Sequence, residues 1–326
     1  MSTEVLQNDQ NKIPVIAVVG PTASGKTALG VHLAKYYDGE VISADSMQIY
    51  TGMDIATAKP SPEEMQGVRH HLMGFLPVTA RYSVAQFTVD ANRCARDIVR
   101  RNKKVLLVGG TGLYVDALLQ NVTFEEEPEN TEMRAFLFRR RETEGIEALY
   151  KELSAIDPAY AVTLDPHNEK RVLRALEIYY LSGQTPTVRR ARAVGHESDF
   201  LPVYIGLRFR DRELLYDRIA RRSDRMLADG LLEEARSYYG LDGVNTASQA
   251  IGYKEFAPFF AGEISFEEAR ENLIRATRRY AKRQLTWFGR NPDVHWIDCD
   301  EKNEADIFAC AVKITDKHFG KEAQTL

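Results

Sequence analysis

The segment from Ile13 to Thr27 constrains this chain more than any other. Ile13 to Val19 is an apolar, β-branched run that stops at Gly20, and it reads as a buried strand. Gly20-Pro21-Thr22-Ala23-Ser24-Gly25-Lys26-Thr27 follows and fits G-x4-G-K-S/T, with a helical pattern running on from Gly25 to Tyr37. Strand, glycine loop and helix, in that order, are the context a phosphate cradle needs. Glycines let successive backbone N–H groups converge as an anion nest, and the helix N-terminus adds partial positive charge. Lys26 supplies a full charge, and Thr27 offers a hydroxyl for phosphate or Mg²⁺. A bare strand-to-helix turn without a ligand is the competing reading; Lys26 and Thr27 in register argue against it.

Further strands are predicted at Val41–Ala44, Val105–Val108, Val203–Leu207 and Val294–Asp298. Helices are predicted over 84–101, 212–239 and 265–289, with one more at the C-terminal end. Strands alternating with helices predict an α/β fold, a P-loop core whose mostly parallel sheet is flanked by helices. The character changes near residue 122. Glu125, Glu126, Glu127, Glu129 and Glu132 surround Pro128 without a basic residue, and helical periodicity then persists to about 199 with no convincing strand. There Asp165–Pro166 reads as the N-cap and first residue of a helix reaching Tyr180, closed by Ser182–Gly183. The expected organisation is a polar, disordered tail over 1–11, a core from 12–123 and 200–318, and an all-helical insertion domain over 124–199.

A phosphate cradle does not say what the phosphate does. P-loop NTPases usually place an Asp at the end of another strand to hold Mg²⁺. Here Val105–Val108 ends in Gly109-Gly110-Thr111-Gly112, with no acid. No Asp has Gly three residues later, and Asn102-Lys103-Lys104-Val105 is not Asn-Lys-x-Asp, which disfavours a GTP switch. A diphosphate held as a leaving group fits better. Asp45 falls just beyond the second strand, and in open parallel sheets ligands sit at the carboxyl ends of strands. Asp45 would then share a crevice with the cradle, where a carboxylate can take a proton from an attacking acceptor. On spacing alone, an N-cap or loop aspartate remains open.

GPTASGKT, ISADSMQIYTGMDIATAKP and GGTGLY together resemble the bacterial tRNA dimethylallyltransferases, the tRNA isopentenyltransferase family. The resemblance continues through RVLRALE (Arg171–Glu177), RSDRM (Arg222–Met226), Gly252–Tyr253 and AKRQLTW (Ala281–Trp287), spanning residues 13–298. It implies transfer of a dimethylallyl group from dimethylallyl diphosphate to N6 of adenine 37, beside the tRNA anticodon, on a P-loop core with a helical insertion. It implies Asp45 as the base, with Asp45, Ser46, Met47 and Gln48 against the substrate nucleotide. Gly20, Pro21, Thr22, Ala23, Ser24, Gly25, Lys26 and Thr27 would hold the diphosphate, helped by Arg222. Thr27 would also meet Mg²⁺. Thr111 is implied near the acceptor base, and Lys170, Arg171, Val172, Leu173 and Arg174 as a tRNA-contacting segment. Some members carry Arg-Cys before the Gly-Tyr pair, whereas Gln249-Ala250-Ile251 stands here, so that contact does not carry over.

With 43 Lys+Arg against 47 Asp+Glu, the net charge of −4 taken alone weighs mildly against a nucleic-acid partner. The distribution says otherwise. Residues 270–290 hold seven bases and one acid, and Arg275, Arg278, Arg279, Lys282, Arg283 and Arg290 share one arc of a helical wheel. A solvated basic face and a phosphate-contacting stripe both fit; tRNA would use the second. The longest uncharged run, Ile13 to Gly25, is 13 residues, short of a membrane span. Three scattered cysteines give no disulfide framework, and Cys299, Cys310 and His318 lack zinc-finger spacing. Adjacent His70 and His71 would point to opposite faces of a strand and share no metal. A cytoplasmic monomer is expected, with tRNA, dimethylallyl diphosphate and Mg²⁺ as partners, and neither membrane nor protein partner. An adenylate isopentenyltransferase, a small-molecule kinase of the shikimate kinase type and a non-catalytic P-loop RNA-binding module remain as alternatives.

Overall fold

The computed structural model describes residues 12–122, 131–193, 197–241, 243 and 247–320. The expected tail and the acidic run Glu125–Glu129 lie outside the described residues. The chain divides into two compact units, Met1–Leu119 with Ser198–Leu326, and Gln120–Glu197. The first unit opens with β1 (Ile13–Val19), α1 (Lys26–Tyr36), β2 (Gly39–Ser43), α2 (Pro62–Met65) and β3 (His70–His71). It continues with α3 (Val84–Arg100), β4 (Lys104–Val108) and α4 (Gly112–Leu119). The second unit holds α5 (Thr131–Glu144), α6 (Ile146–Ile156), α7 (Pro158–Ala161), α8 (Glu169–Ser182) and α9 (Pro186–Ala193). The chain then returns with β5 (Phe200–Arg208), α10 (Arg212–Ala228), α11 (Leu231–Tyr238), α12 (Ala257–Phe260), α13 (Phe266–Phe288), β6 (Val294–Asp298) and α14 (Glu304–Phe319).

Among the described residues, six strands form one sheet in the order β3-β2-β4-β1-β5-β6, and each pairing between them is parallel. Central β1 registers Val15 with Val105 on one side and Ile13 with Phe200 on the other. Parallel sheets need cover on both faces, and alternation along the strands supplies it. Val15, Ala17, Val19, Ile42 and Leu107 pack on Phe87 and Ala91 of α3 and on Val115 of α4. Ile16, Val18, Val41 and Leu106 face the other way, onto Leu29 and Leu33 of α1 and Ala311 of α14. Ser83 and Gln86 close a capping box that starts α3.

Two helix boundaries differ from the sequence reading. The run predicted over 212–239 breaks between α10 and α11, because Gly230 adopts φ 103, a left-handed conformation that ends an α-helix. In the second unit, α8 begins at Glu169 rather than at Pro166. Asn168 caps it by accepting from the Arg171 N–H at 3.4 Å, while the Asp165 carboxylate accepts from the His167 N–H in the preceding turn. That unit packs around Leu137, Leu149, Leu153, Val172, Leu173 and Leu176. Glu177 is buried among them and paired with Arg134 at 2.8 Å and Arg174 at 2.7 Å.

Candidate active site

β1 delivers the chain to the cradle at the carboxyl edge of the sheet. Gly25 caps α1 in a left-handed conformation with no side-chain cap bond, so the opening amides of α1 keep no side-chain acceptor. Ala23 sits at φ 63, strained backbone for a residue with a Cβ, and strain of this kind gathers at functional sites. The Ser24 hydroxyl is buried and has no hydrogen-bond partner among the described residues. The cradle is therefore built to receive an acceptor.

Its cations are crowded. The Lys26 ammonium donates to the Pro21 carbonyl at 2.6 Å. Burial and then the nearby Arg222 guanidinium push its pKa down to about 7, with the Asp45 carboxylate pulling the other way. Arg222 reaches in from α10 and donates from Nη1 to the Thr22 hydroxyl at 3.3 Å. Burial also lowers its pKa, and Asp45 again opposes. Two desolvated cations that repel each other are stabilised by an anion placed between them.

Asp45 leaves the end of β2 where the Ala44 N–H donates to the Val108 carbonyl at 2.8 Å. Close approach of this turn to the next strand explains Gly109: a Cβ there would stand 2.2 Å from the Ala44 oxygen. Oδ1 of Asp45 accepts from the amides of Met47 at 2.9 Å and Gln48 at 3.4 Å. Oδ2 has no hydrogen bond among the described residues. One cavity of about 290 Å³ is lined by Thr22, Lys26 and Thr27 of the cradle, Asp45 to Gln48, and Arg222. The other five cradle residues form the loop behind it. Met226, Ile251 and Leu273 give the same cavity an apolar wall, and Gln249 and Lys254 also line it.

Several expected contacts are placed differently. Thr111 does not line the cavity; its hydroxyl accepts from the Ser46 N–H at 3.1 Å and so supports the Asp45–Gln48 segment from behind. Gln48 lines the cavity, but its amide serves the chain itself, accepting from the Ser43 hydroxyl at 3.0 Å and donating to the carbonyls of Thr57 and Ala58. On α13, Arg275, Arg279, Lys282 and Arg283 are exposed, and Arg283 reaches the cavity. Arg278 leaves the stripe: it is half-buried, with its guanidinium 4.6 Å above the Tyr216 ring. In the second unit Lys170, Arg171 and Arg174 are exposed, whereas Val172 and Leu173 are buried in the core and present no side chain to a partner. They point inward because a helix segment of five residues spans more than one turn.

His70 and His71 do face opposite ways. His70 lines the cavity, with Nδ1 2.9 Å from the Val68 carbonyl, and burial lowers its pKa. His71 Nε2 is 2.6 Å from Glu40, whose carboxyl is held down to about 2, chiefly by Arg101. Among the described residues no cluster of three or more His, Cys, Asp or Glu could cage a metal. Sequence reasoning missed Gln284. Buried on α13, it accepts from the Thr22 N–H at 2.7 Å and donates to the Gly110 carbonyl at 3.0 Å. A polar residue on the apolar arc of α13 was the available signal.

The IPP transferase family model matches residues 48–291. The chain belongs to the IPP transferase family. The cradle and Asp45 precede the matched segment, but relatives of this family extend across them. A tRNA dimethylallyltransferase of Geobacillus kaustophilus is 43% identical over 312 residues, covering 95% of this chain and 97% of that one. A second, from Thermoanaerobacter sp. (strain X514), is 40% identical over 299 residues, 90% of this chain and 95% of its own. Two solved family structures share the fold. The full-length tRNA isopentenylpyrophosphate transferase of Bacillus halodurans has TM-score 0.69 at 40% identity, over 95% of this chain and 99% of that one. A eukaryotic dimethylallyltransferase acting on tRNA has TM-score 0.74 at 29% identity, over 96% and 78%.

Proposed function

We propose that this protein is a tRNA dimethylallyltransferase that moves a dimethylallyl group from dimethylallyl diphosphate to N6 of adenine 37, next to the anticodon. The carrying observation is that Thr22, Lys26, Thr27, Arg222 and Asp45 line one cavity. The lone pair of N6 attacks C1 of the donor. The C1–O bond breaks, its electron pair leaves with diphosphate, and the N6 proton passes to Oδ2 of Asp45. Lys26, Arg222 and the cradle amides stabilise charge that grows on the leaving group, the kind of preorganised term that dominates many enzymes. Met226, Ile251 and Leu273 suit a branched hydrocarbon tail. The acceptor adenine must leave its stack to enter, and unstacked loop bases are the usual targets of RNA recognition.

Mg²⁺ fits this site. It keeps several waters and binds through one or two side-chain oxygens together with substrate phosphates, rather than in an all-protein cage. Thr27 lines the cavity, the buried Ser24 hydroxyl of the same loop has no partner among the described residues, and the Thr27 hydroxyl would hold the ion. When bound, the ion would add positive charge to the leaving diphosphate. Exposed Lys170, Arg171 and Arg174, with the α13 stripe, serve the tRNA backbone. Gln249, where some relatives have Arg, lines the cavity as a neutral group. No helix among the described residues is long and apolar enough to cross a membrane; we place the enzyme in the cytoplasm, acting as a monomer.

Incubation with labelled dimethylallyl diphosphate and either tRNA or AMP, alongside an ATP-consumption assay, tests the reading. Label in tRNA alone is the expected result. Label in AMP, ATP consumption without transfer, or RNA binding without transfer would each install one of the alternatives instead.

A further inference from the structure

The turn at residues 54–56 has no regular secondary structure of its own, yet its backbone donors need partners. One distant carboxylate supplies them. Glu234 on α11 accepts from the amides of Asp54 and Ile55 through Oε2, both at 2.8 Å, and from Ala56 through Oε1 at 2.9 Å. The buried Tyr253 hydroxyl donates to the same Oε1 at 2.9 Å, and the Tyr253 ring stacks on Tyr238. Three consecutive amides converging on one anion form a nest of the type that elsewhere binds phosphate. Here the protein fills it with its own side chain.

What this nest supports is the active cavity. Ala56, Thr57 and Ala58 line it, and the carbonyls of Thr57 and Ala58 accept from the Gln48 side chain. The Gln48 backbone amide in turn donates to Asp45. A hydrogen-bonded path therefore runs from Glu234 through the turn and Gln48 to the carboxylate placed to receive the acceptor proton. The cradle lies on a different side of this path: among the described residues, none of its members bonds to Glu234 or to residues 54–58.

We propose that Glu234 is the positioning residue of the acceptor side of the cavity, fixing the 54–58 wall against which the substrate nucleotide seats. The proposal rests on the transferase reading above. Glu234→Gln places an amide NH₂ group among converging N–H donors and removes the charge that strengthens those bonds. The expected result is a KM for tRNA raised about tenfold, equivalent to ~1.4 kcal/mol, with the KM for dimethylallyl diphosphate unchanged. Amide hydrogen exchange at Asp54, Ile55 and Ala56 should quicken while the α1 amides keep their protection. Tyr253→Phe, which removes one donor to Glu234 and little volume, should move both readouts the same way by less, and stands in if the Gln variant fails to fold. Unchanged exchange at 54–56 with an unchanged tRNA KM overturns the proposal. So does a joint loss of donor affinity, tRNA affinity and thermal stability, which marks Glu234 as general scaffold. Wild-type transfer is measured first; its absence overturns the transferase reading itself, and this proposal with it.

Discussion

Gln284→Leu isolates the bridge between the cradle and the glycine turn. The side chain is only 4% exposed, and Leu fills nearly the same volume, so packing changes little. What disappears is the acceptor for the Thr22 N–H at 2.7 Å and the donor to the Gly110 carbonyl at 3.0 Å. An orphaned buried polar group costs ~1–3 kcal/mol, so two cost ~2–6 kcal/mol. Thr22 borders the cavity and can take a water, which puts the expected loss in the lower half, ~2–4 kcal/mol. Against a total stability of ~5–15 kcal/mol, that is a large share. The chain's two tryptophans, Trp287 and Trp296, both lie in the sheet-containing unit, and Trp287 follows Gln284 by about one turn of α13. Urea unfolding followed by tryptophan fluorescence therefore reports on this unit. The midpoint should fall with the slope m unchanged. Gln284→Glu keeps an acceptor for Thr22 and, when protonated, a donor for Gly110, so it should cost less than the Leu variant as pH falls. A loss below ~0.5 kcal/mol for Leu, within the range of ordinary surface substitutions, would refute the claim that this amide holds the two loops together.

Asp45→Asn should lower single-turnover transfer by ~10²–10⁴ while tRNA affinity persists, measured by rapid quench and filter binding; near-normal transfer would remove Asp45 as the base. If Lys26 holds the proposed diphosphate it must be charged, and its pKa in the free protein is pushed down to about 7. Binding therefore takes up a proton above that pH, and donor affinity should weaken by up to about tenfold per pH unit as pH rises past 7, where a phosphate with pKa ≈ 6 is already ionised. For folding the sign is opposite: the unfolded chain holds this proton up to the ordinary lysine value of 10.5, so the contribution of Lys26 to stability improves as pH rises from about 7. Calorimetric titration at pH 7 and pH 9 reads the binding effect. Arg279→Gln with Lys282→Gln should flatten the dependence of log K for tRNA on log salt by about 0.7–0.9 for each phosphate that the variant no longer neutralises, and leave donor KM unchanged; an unaltered slope would exclude these side chains from the RNA surface.

The strand, loop and helix from Ile13 to Tyr36 were legible because local rules decide them: a β-branched apolar run, glycine spacing and a helix start all agree. Asp45 was legible for a related reason, since ligands gather where parallel strands end. Long-range pairing hid the rest. Gln284 meets Thr22 across 262 positions and Glu234 meets Asp54 across 180, separations at which spacing carries no signal. Within basic runs, the number of charges could not tell which residues turn inward; Arg278 went over the Tyr216 ring, and Val172 and Leu173 into a core. Asp165–Pro166 and Asn168 are both sound helix starters, and only the competing turn at His167 decides between them.

The pairing of β1 with β5 has a consequence for how the chain is made. β4 is complete at residue 108, but β5 ends at residue 208, 100 residues later. At ~5–20 residues per second, the ribosome needs ~5–20 s to supply them. Throughout that interval Val15 to Val19, enclosed in the finished sheet, has a neighbour on one edge only. Helices α5 to α9 of the second unit are synthesised in the same window. A nascent chain of this enzyme thus carries an open apolar strand edge for seconds, the state that invites mispairing and chaperone capture.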